Sequence, residues 1–181
     1  MIIVAGGDSF VWGSELSDSP HGGPKGYSKK TFTALMATEY YCAAYPGIGN
    51  KEIVTRVRDM LVRIKNPDLV LVCWTWPSRD DELDSDYHIK SLQDHLDYHN
   101  ITYIFTCADN CVVTGKLDYT NWFMFPAGTE KWQTKEPRGF YQWARENKYP
   151  VGKEMHPLED AHYDAYKLIE DKINEMVKKS N

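Results

Sequence analysis

Ser9 is the residue in this chain best placed to act as a nucleophile. Met1 is followed by Ile2-Ile3-Val4-Ala5, a short apolar run rich in β-branched residues that predicts a buried strand, and Gly6-Gly7-Asp8 then breaks it. Ser9 falls just past that strand end, on a glycine turn at the edge where open α/β sheets bind ligands. The same residue types also suit an ordinary strand-to-loop turn. A serine hydroxyl is a poor nucleophile near neutral pH unless a base lies within hydrogen-bonding reach, and imidazole fills that role because its pKa is close to the operating pH. Among the six histidines, His95 and His99 are spaced i, i+4 but lack the intervening glutamate of a His-Glu-x-x-His zinc pattern, so they read as surface residues. The acidic run Asp80, Asp81, Glu82, Asp84, Asp86 reads as a solvated loop. No metal and no cofactor is expected.

The elements that must position these groups alternate between strand and helix. Gly13 to Ser28 reads as a long exposed loop that leaves Ser9 and walls a site. Ser28 then reads as the N-cap of a helix through about Tyr40, followed by a short strand over Tyr41 to Ala44. Tyr45-Pro46-Gly47-Ile48-Gly49-Asn50 forms a glycine turn, with Asn50 as N-cap of an amphipathic helix to about Lys65. Leu69 to Trp74 is unbroken apolar sequence, as suits a central parallel strand. A helix is expected from Asp86 to His99, a strand from Ile101 to Thr106, a short helix over Arg138 to Asn147, and a last helix carrying Ala165, Leu168, Ile169, Ile173, Met176 and Val177 on one side. The aromatic segment at about 107–150 reads either as a cap supplying an apolar pocket or as rings that close the core, the second suiting each ring better.

This alternation predicts one domain over residues 1–181 with an α/β/α fold and a parallel sheet of about five strands. At 42% hydrophobic and 26% charged residues the composition is that of a soluble globular protein, with no apolar run of membrane-spanning length. A net charge of −5 with interleaved signs argues against nucleic acid as a partner. Cys42, Cys73, Cys107 and Cys111 show no paired metal-ligand spacing, and the strand follows Met1 with no leader-like stretch, which together predict a reduced, cytoplasmic protein.

Gly6-Gly7-Asp8-Ser9-Phe10 after an N-terminal strand resembles the first block of the SGNH hydrolases, the GDSL-type esterases and lipases. Later blocks follow in order. The turn at Gly47 is similar to the Pro-Gly-x-Ser-Asn variant of hydrolase-like proteins from tailed bacteriophages, with Gly49 in place of the serine. Thr75-Trp76-Pro77-Ser78-Arg79 lacks the block III asparagine and resembles the Trp-Thr or Trp-Ser followed by arginine of those phage-type proteins. His156-Pro157 before the last helix matches the closing motif, although Lys153 and Glu154 stand where the family carries its aspartate, and His162 resembles a second histidine in the first turn of that helix.

The resemblance implies a three-layer, flavodoxin-like SGNH fold and a serine hydrolase acting on a small-molecule or glycan ester. Ser9 is its nucleophile, His156 its base, and Glu154 the candidate acid that orients the imidazole. The N–H groups of Ser9 and Gly47 would form an oxyanion hole, with a further donor from Thr75, Ser78 or Asn50. Asp8, Arg79 and His162 are secondary candidates. The alternative is a non-catalytic SGNH-like module that binds a carbohydrate or protein partner, of phage origin and located in host cytoplasm if phage-encoded.

Overall fold

A computed structural model describes residues 1–19, 26–80, 85–127 and 136–180. Asp81, Glu82 and Asp84 of the acidic run and Trp132 of the aromatic segment lie outside the described residues, as does the side chain of Val177. Four strands, β1 (Ile2–Gly6), β2 (Glu39–Cys42), β3 (Leu69–Trp74) and β4 (Tyr103–Cys107), form one all-parallel sheet in the order β2-β1-β3-β4. The helices are α1 (Ser9–Trp12), α2 (Asn50–Arg63), α3 (Ser85–Tyr98), α4 (Phe140–Glu146) and α5 (Glu159–Ser180). No helix among the described residues is long and apolar enough to cross a membrane.

Strand periodicity explains why β3 has no polar residue. Leu69, Leu71 and Cys73 join Ile3, Ala5 and Ile104 on one face, against Phe10, Phe140 and Trp143 and the α5 residues Ala161, Ala165, Ile169 and Ile173. Val70, Val72 and Trp74 face the other way with Val4 and Phe105, against Ile53, Val54 and Val57 of α2 and Ile89, Leu92 and Leu96 of α3. Both faces are therefore covered. Phe125, Phe140 and Trp143 of the aromatic segment are buried and close the first of these cores.

Two expected elements differ. Among the described residues the sheet has four strands and not about five; the segment beyond β4 touches it at a single parallel bridge, Phe105 with Trp122. Phe105 donates to Asn121 O at 2.9 Å and accepts from Phe123 N at 2.8 Å, after which Phe125 turns away to pair antiparallel with Arg138. Lys172 Nζ also donates to Trp122 O at 2.7 Å. The second difference is that no helix forms over Ser28 to Tyr40. The Thr31 and Thr33 hydroxyls bond each other at 3.0 Å, Thr33 also meets the Tyr40 hydroxyl at 2.8 Å, and Phe32 N–H goes to His162 Nδ1 at 3.2 Å. These side-chain bonds compete with a helical ladder, and the segment is a series of turns that leads into β2 two residues earlier than expected.

His162 is thus a structural residue. Its ring is buried, stacked on Phe32 with centroids 5.8 Å apart, and burial pushes its pKa down from 6.5 to about 3. The unfolded chain binds this proton from about pH 6.5 downward and the folded one does not, so stability present above pH 6.5 is lost as pH falls toward 3. Urea unfolding of the parent at pH 7 and pH 4 should show a loss of stability that is smaller in His162→Gln, whose amide oxygen can accept the Phe32 N–H without titrating. Equal losses in the two proteins would contradict this role.

Candidate active site

The strand order reverses between β1 and β3, so the carboxyl ends of these two strands flank a crevice. Ser9 opens α1 directly after β1. Asp8 is the N-cap of this one-turn helix, accepting Phe10 N–H at 3.1 Å, and Gly13 closes it in the left-handed conformation. Gly7 is needed for close approach, since a Cβ there would lie 2.5 Å from Val11 Cγ2. Ser9 is buried, its hydroxyl makes no hydrogen bond among the described residues, and its N–H belongs to the first turn, which has no intrahelical acceptor.

Asp8 joins the two strand ends. Its Oδ2 accepts the Thr75 hydroxyl at 2.7 Å and Arg79 Nη1 at 2.7 Å, and Arg79 in turn lies over the Trp76 ring at 5.1 Å. Beyond Thr75 the network continues into α2 and α3. Asn50 Oδ1 accepts Thr75 N–H at 2.9 Å, while Asn50 Nδ2 donates to Thr75 O and to Ser85 Oγ, both at 3.0 Å. Ser85 Oγ donates to Asp80 Oδ2 at 2.7 Å, and Asp80 Oδ1 accepts Lys51 N–H at 3.1 Å.

This arrangement corrects two expectations. Gly49, not Asn50, is the N-cap of α2, and a Cβ on Gly49 would lie 2.3 Å from Asp80 Oδ1. Both amide hydrogens of Asn50 and the single hydroxyl hydrogen of Thr75 are already engaged, so neither side chain offers a free donor to an oxyanion. Ser78 is exposed on a single 3-10 turn, and Arg79 keeps guanidinium hydrogens beyond the one given to Asp8. Gly47 has φ 80, a conformation that favours glycine, and its N–H makes no hydrogen bond among the described residues.

His156 arrives from a tight loop closed by the Val151 and Pro157 bridge and by Gly152 N–H to His156 O at 2.9 Å. Its Nδ1 lies 2.9 Å from Oε2 of Glu15, a residue 141 positions away that the sequence reading passed over. The same carboxylate takes the N–H of Glu154 on both oxygens at 3.0 Å and the N–H of His156 at 3.3 Å. Burial alone would raise the Glu15 pKa, but these donors outweigh it and hold the carboxyl below its ordinary value. Glu154, the acid expected from the closing motif, is exposed and reaches the imidazole's partner through its backbone, because the loop turns the N–H groups of 154 and 156 toward one point. Lys153 is exposed on the same turn. A signal for Glu15 did exist: the otherwise polar loop after Trp12 carries Leu16 directly after it, and Leu16 is fully buried.

The imidazole stands edge-on to Phe10 with centroids 5.5 Å apart, which puts it beside α1, and no hydrogen bond joins it to Ser9. Phe10, Trp76 and Tyr141 pack on one another as an aromatic wall, with Arg145 over Tyr141 at 5.6 Å. A cleft of about 880 Å³ opens instead near the start of β4, where Tyr103, Phe123 and Lys172 line it, at the far end of the sheet from Ser9. Among the described residues no group of three or more His, Cys, Asp or Glu could hold a metal ion.

Asn50→Ala would leave Thr75 N–H and O and the Ser85 hydroxyl without their partner in a buried place. The expected loss is about 2–4 kcal/mol by urea unfolding with an unchanged denaturant slope. A loss under about 0.5 kcal/mol, the range of ordinary surface substitutions, would contradict the bridging role. No protein-family model and no curated protein matches the chain.

Proposed function

We propose that the chain is a serine hydrolase that cleaves a carboxylic ester, with Ser9 as nucleophile and His156 as general base. The observation that carries this reading is a histidine held through Nδ1 by a carboxylate and lying against Phe10, the residue after the candidate nucleophile. On this reading the fold is the three-layer, flavodoxin-like SGNH type, its fifth strand reduced to the one bridge at Trp122. Ser9 Oγ attacks the acyl carbon as its proton passes to His156 Nε2. The leaving alcohol takes that proton, and water then releases the acyl group by the same route in reverse. The N–H groups of Ser9 and Gly47 would donate to the developing oxyanion, with Ser78 or Arg79 supplying a further donor; one such donor is typically worth about 2.7–4 kcal/mol. The Phe10, Trp76 and Tyr141 wall offers apolar contact to a small-molecule or glycan ester.

A non-catalytic SGNH-like module for a carbohydrate or protein partner is the second reading. It is favoured by the absence of a hydrogen bond between Ser9 and His156 and by the engaged side chains of Asn50 and Thr75. A fluorophosphonate probe separates the two, because it reacts with an activated serine and not with an ordinary one. Stoichiometric labelling at Ser9, abolished in Ser9→Ala, is expected for the hydrolase. A folded protein that stays unlabelled where a known serine esterase reacts fully would select the binding module.

His156→Ala should lower turnover of a short-chain aryl ester by several orders of magnitude, and adding Ser9→Ala should cost little more, because such residues act as a unit. His95→Ala and His99→Ala should leave turnover unchanged. Full activity in His156→Ala would remove it as the base.

A further inference from the structure

We infer that Glu15 is the positioning residue for the His156 base, so that the nucleophile and the acid come from one short segment and only the imidazole is brought from afar. The inference rests on the hydrolase reading for its kinetic consequence. Its structural content stands separately.

Ser9 and Glu15 lie on either side of the helix stop at Gly13, and Glu15 has φ 68, a left-handed conformation that a glutamate adopts only when its surroundings impose it. The contacts around its carboxylate supply that imposition. Two backbone N–H groups and the ring nitrogen converge on it from the loop that carries His156, and Gly152 leaves it the space it occupies: a Cβ there would lie 2.4 Å from the carboxyl carbon. Leu16, fully buried, anchors the next residue. Four donor contacts favour the ionised carboxylate, and an ionised carboxylate at Nδ1 keeps the ring proton there, leaving the Nε2 lone pair as the basic site. During attack the Oγ proton moves to Nε2 and returns to the leaving oxygen. Glu15 neither gains nor loses a proton and offsets the charge of the transient imidazolium.

A purely structural clamp would also produce this geometry, so the test reads more than stability. Glu15→Gln keeps an acceptor of nearly the same shape and removes the charge. In the folded variant, verified by circular dichroism, kcat for an aryl ester should fall about 10⁴-fold with KM little changed. Proton NMR should show a low-field His156 Nδ1 resonance in the parent and in Ser9→Ala that moves strongly upfield in Glu15→Gln. A kcat within about threefold of the parent, or a resonance indifferent to Glu15→Gln, overturns the inference. So does loss of activity in Glu154→Gln with activity kept in Glu15→Gln. If the parent fails to label with fluorophosphonate, the hydrolase reading falls and the resonance alone decides whether Glu15 orients the ring. For Glu15→Gln that does not fold, Glu15→Asp carries both readouts: its shorter arm should lower kcat and move the resonance, and a folded Asp variant with both unchanged overturns the inference.

Discussion

The carboxylate of Asp8 is the constraint on which the rest of this architecture turns. It is 1% exposed, and a charge so placed is tolerated only where partners replace the water it has lost. Phe10 N–H, the Thr75 hydroxyl and Arg79 do so at 3.1, 2.7 and 2.7 Å. Satisfying it therefore fixes the first turn of α1 against the end of β3 across the crevice between the two central strands. The Asn50, Ser85 and Asp80 links then extend the same fixation to the amino ends of α2 and α3. A cluster of this kind is stabilising only when complete, since each buried member that loses its partner carries its full desolvation cost.

That network also sets what can be chemistry and what cannot. Side chains bonded on all their hydrogens hold the frame, as Asn50 and Thr75 do. On the proposed reading, groups that keep a donor or lone pair unengaged are left to act: the Ser9 hydroxyl and N–H and the N–H at Gly47, while Phe10 N–H is taken by Asp8. The same sorting distinguishes the two histidines near the start of α5. His162 Nδ1 accepts the Phe32 N–H inside the core and the ring is held neutral by burial, whereas His156 is only partly buried, with a carboxylate on Nδ1.

Much of this could be read from the chain because it depends on local periodicity. The β3 boundaries follow directly from the apolar run at 69–74, and α2, α3, α4 and α5 fall within a few residues of where amphipathic spacing puts them. What failed depends on groups distant in sequence. The helix expected after Ser28 is displaced by bonds to Tyr40 and His162, the latter 130 positions away. The expected count of about five strands is tied to no segment, and the chain beyond β4 makes one bridge to it at Trp122 before Phe125 pairs with Arg138, a partner no window around Trp122 contains. Motif spacing near His156 pointed to Glu154, but the partner of an imidazole is whatever carboxylate the loop geometry faces, and loop 151–157 faces Glu15. The strand end before Ser9 and the turn at Gly47 were legible as local structure, since strand ends and glycine turns mark themselves locally.

Glu15 has a consequence for how the site holds together. On the proposed reading, a base and its acid on one loop would move as a unit, whereas the bond between His156 and Glu15 is also the joint between the first segment of the chain and the last. The joint does not stand alone. Glu159 at the start of α5 accepts Ser17 N–H at 2.8 Å and lies 3.7 Å from Lys30, and His162 one turn later accepts Phe32 N–H. Ser17, Lys30 and Phe32 are thus each tied to the first turn of α5, a few residues beyond His156. Each tie is small, and exposed ones such as the Lys30 pair contribute little alone. Together they fix the start of α5, which follows loop 151–157; on the proposed reading a base needs such support if its ring is to stay within a fraction of an ångström of a productive position. On the proposed reading, docking of α5 is in this way part of the site, although no hydrogen bond among the described residues joins the helix to Ser9.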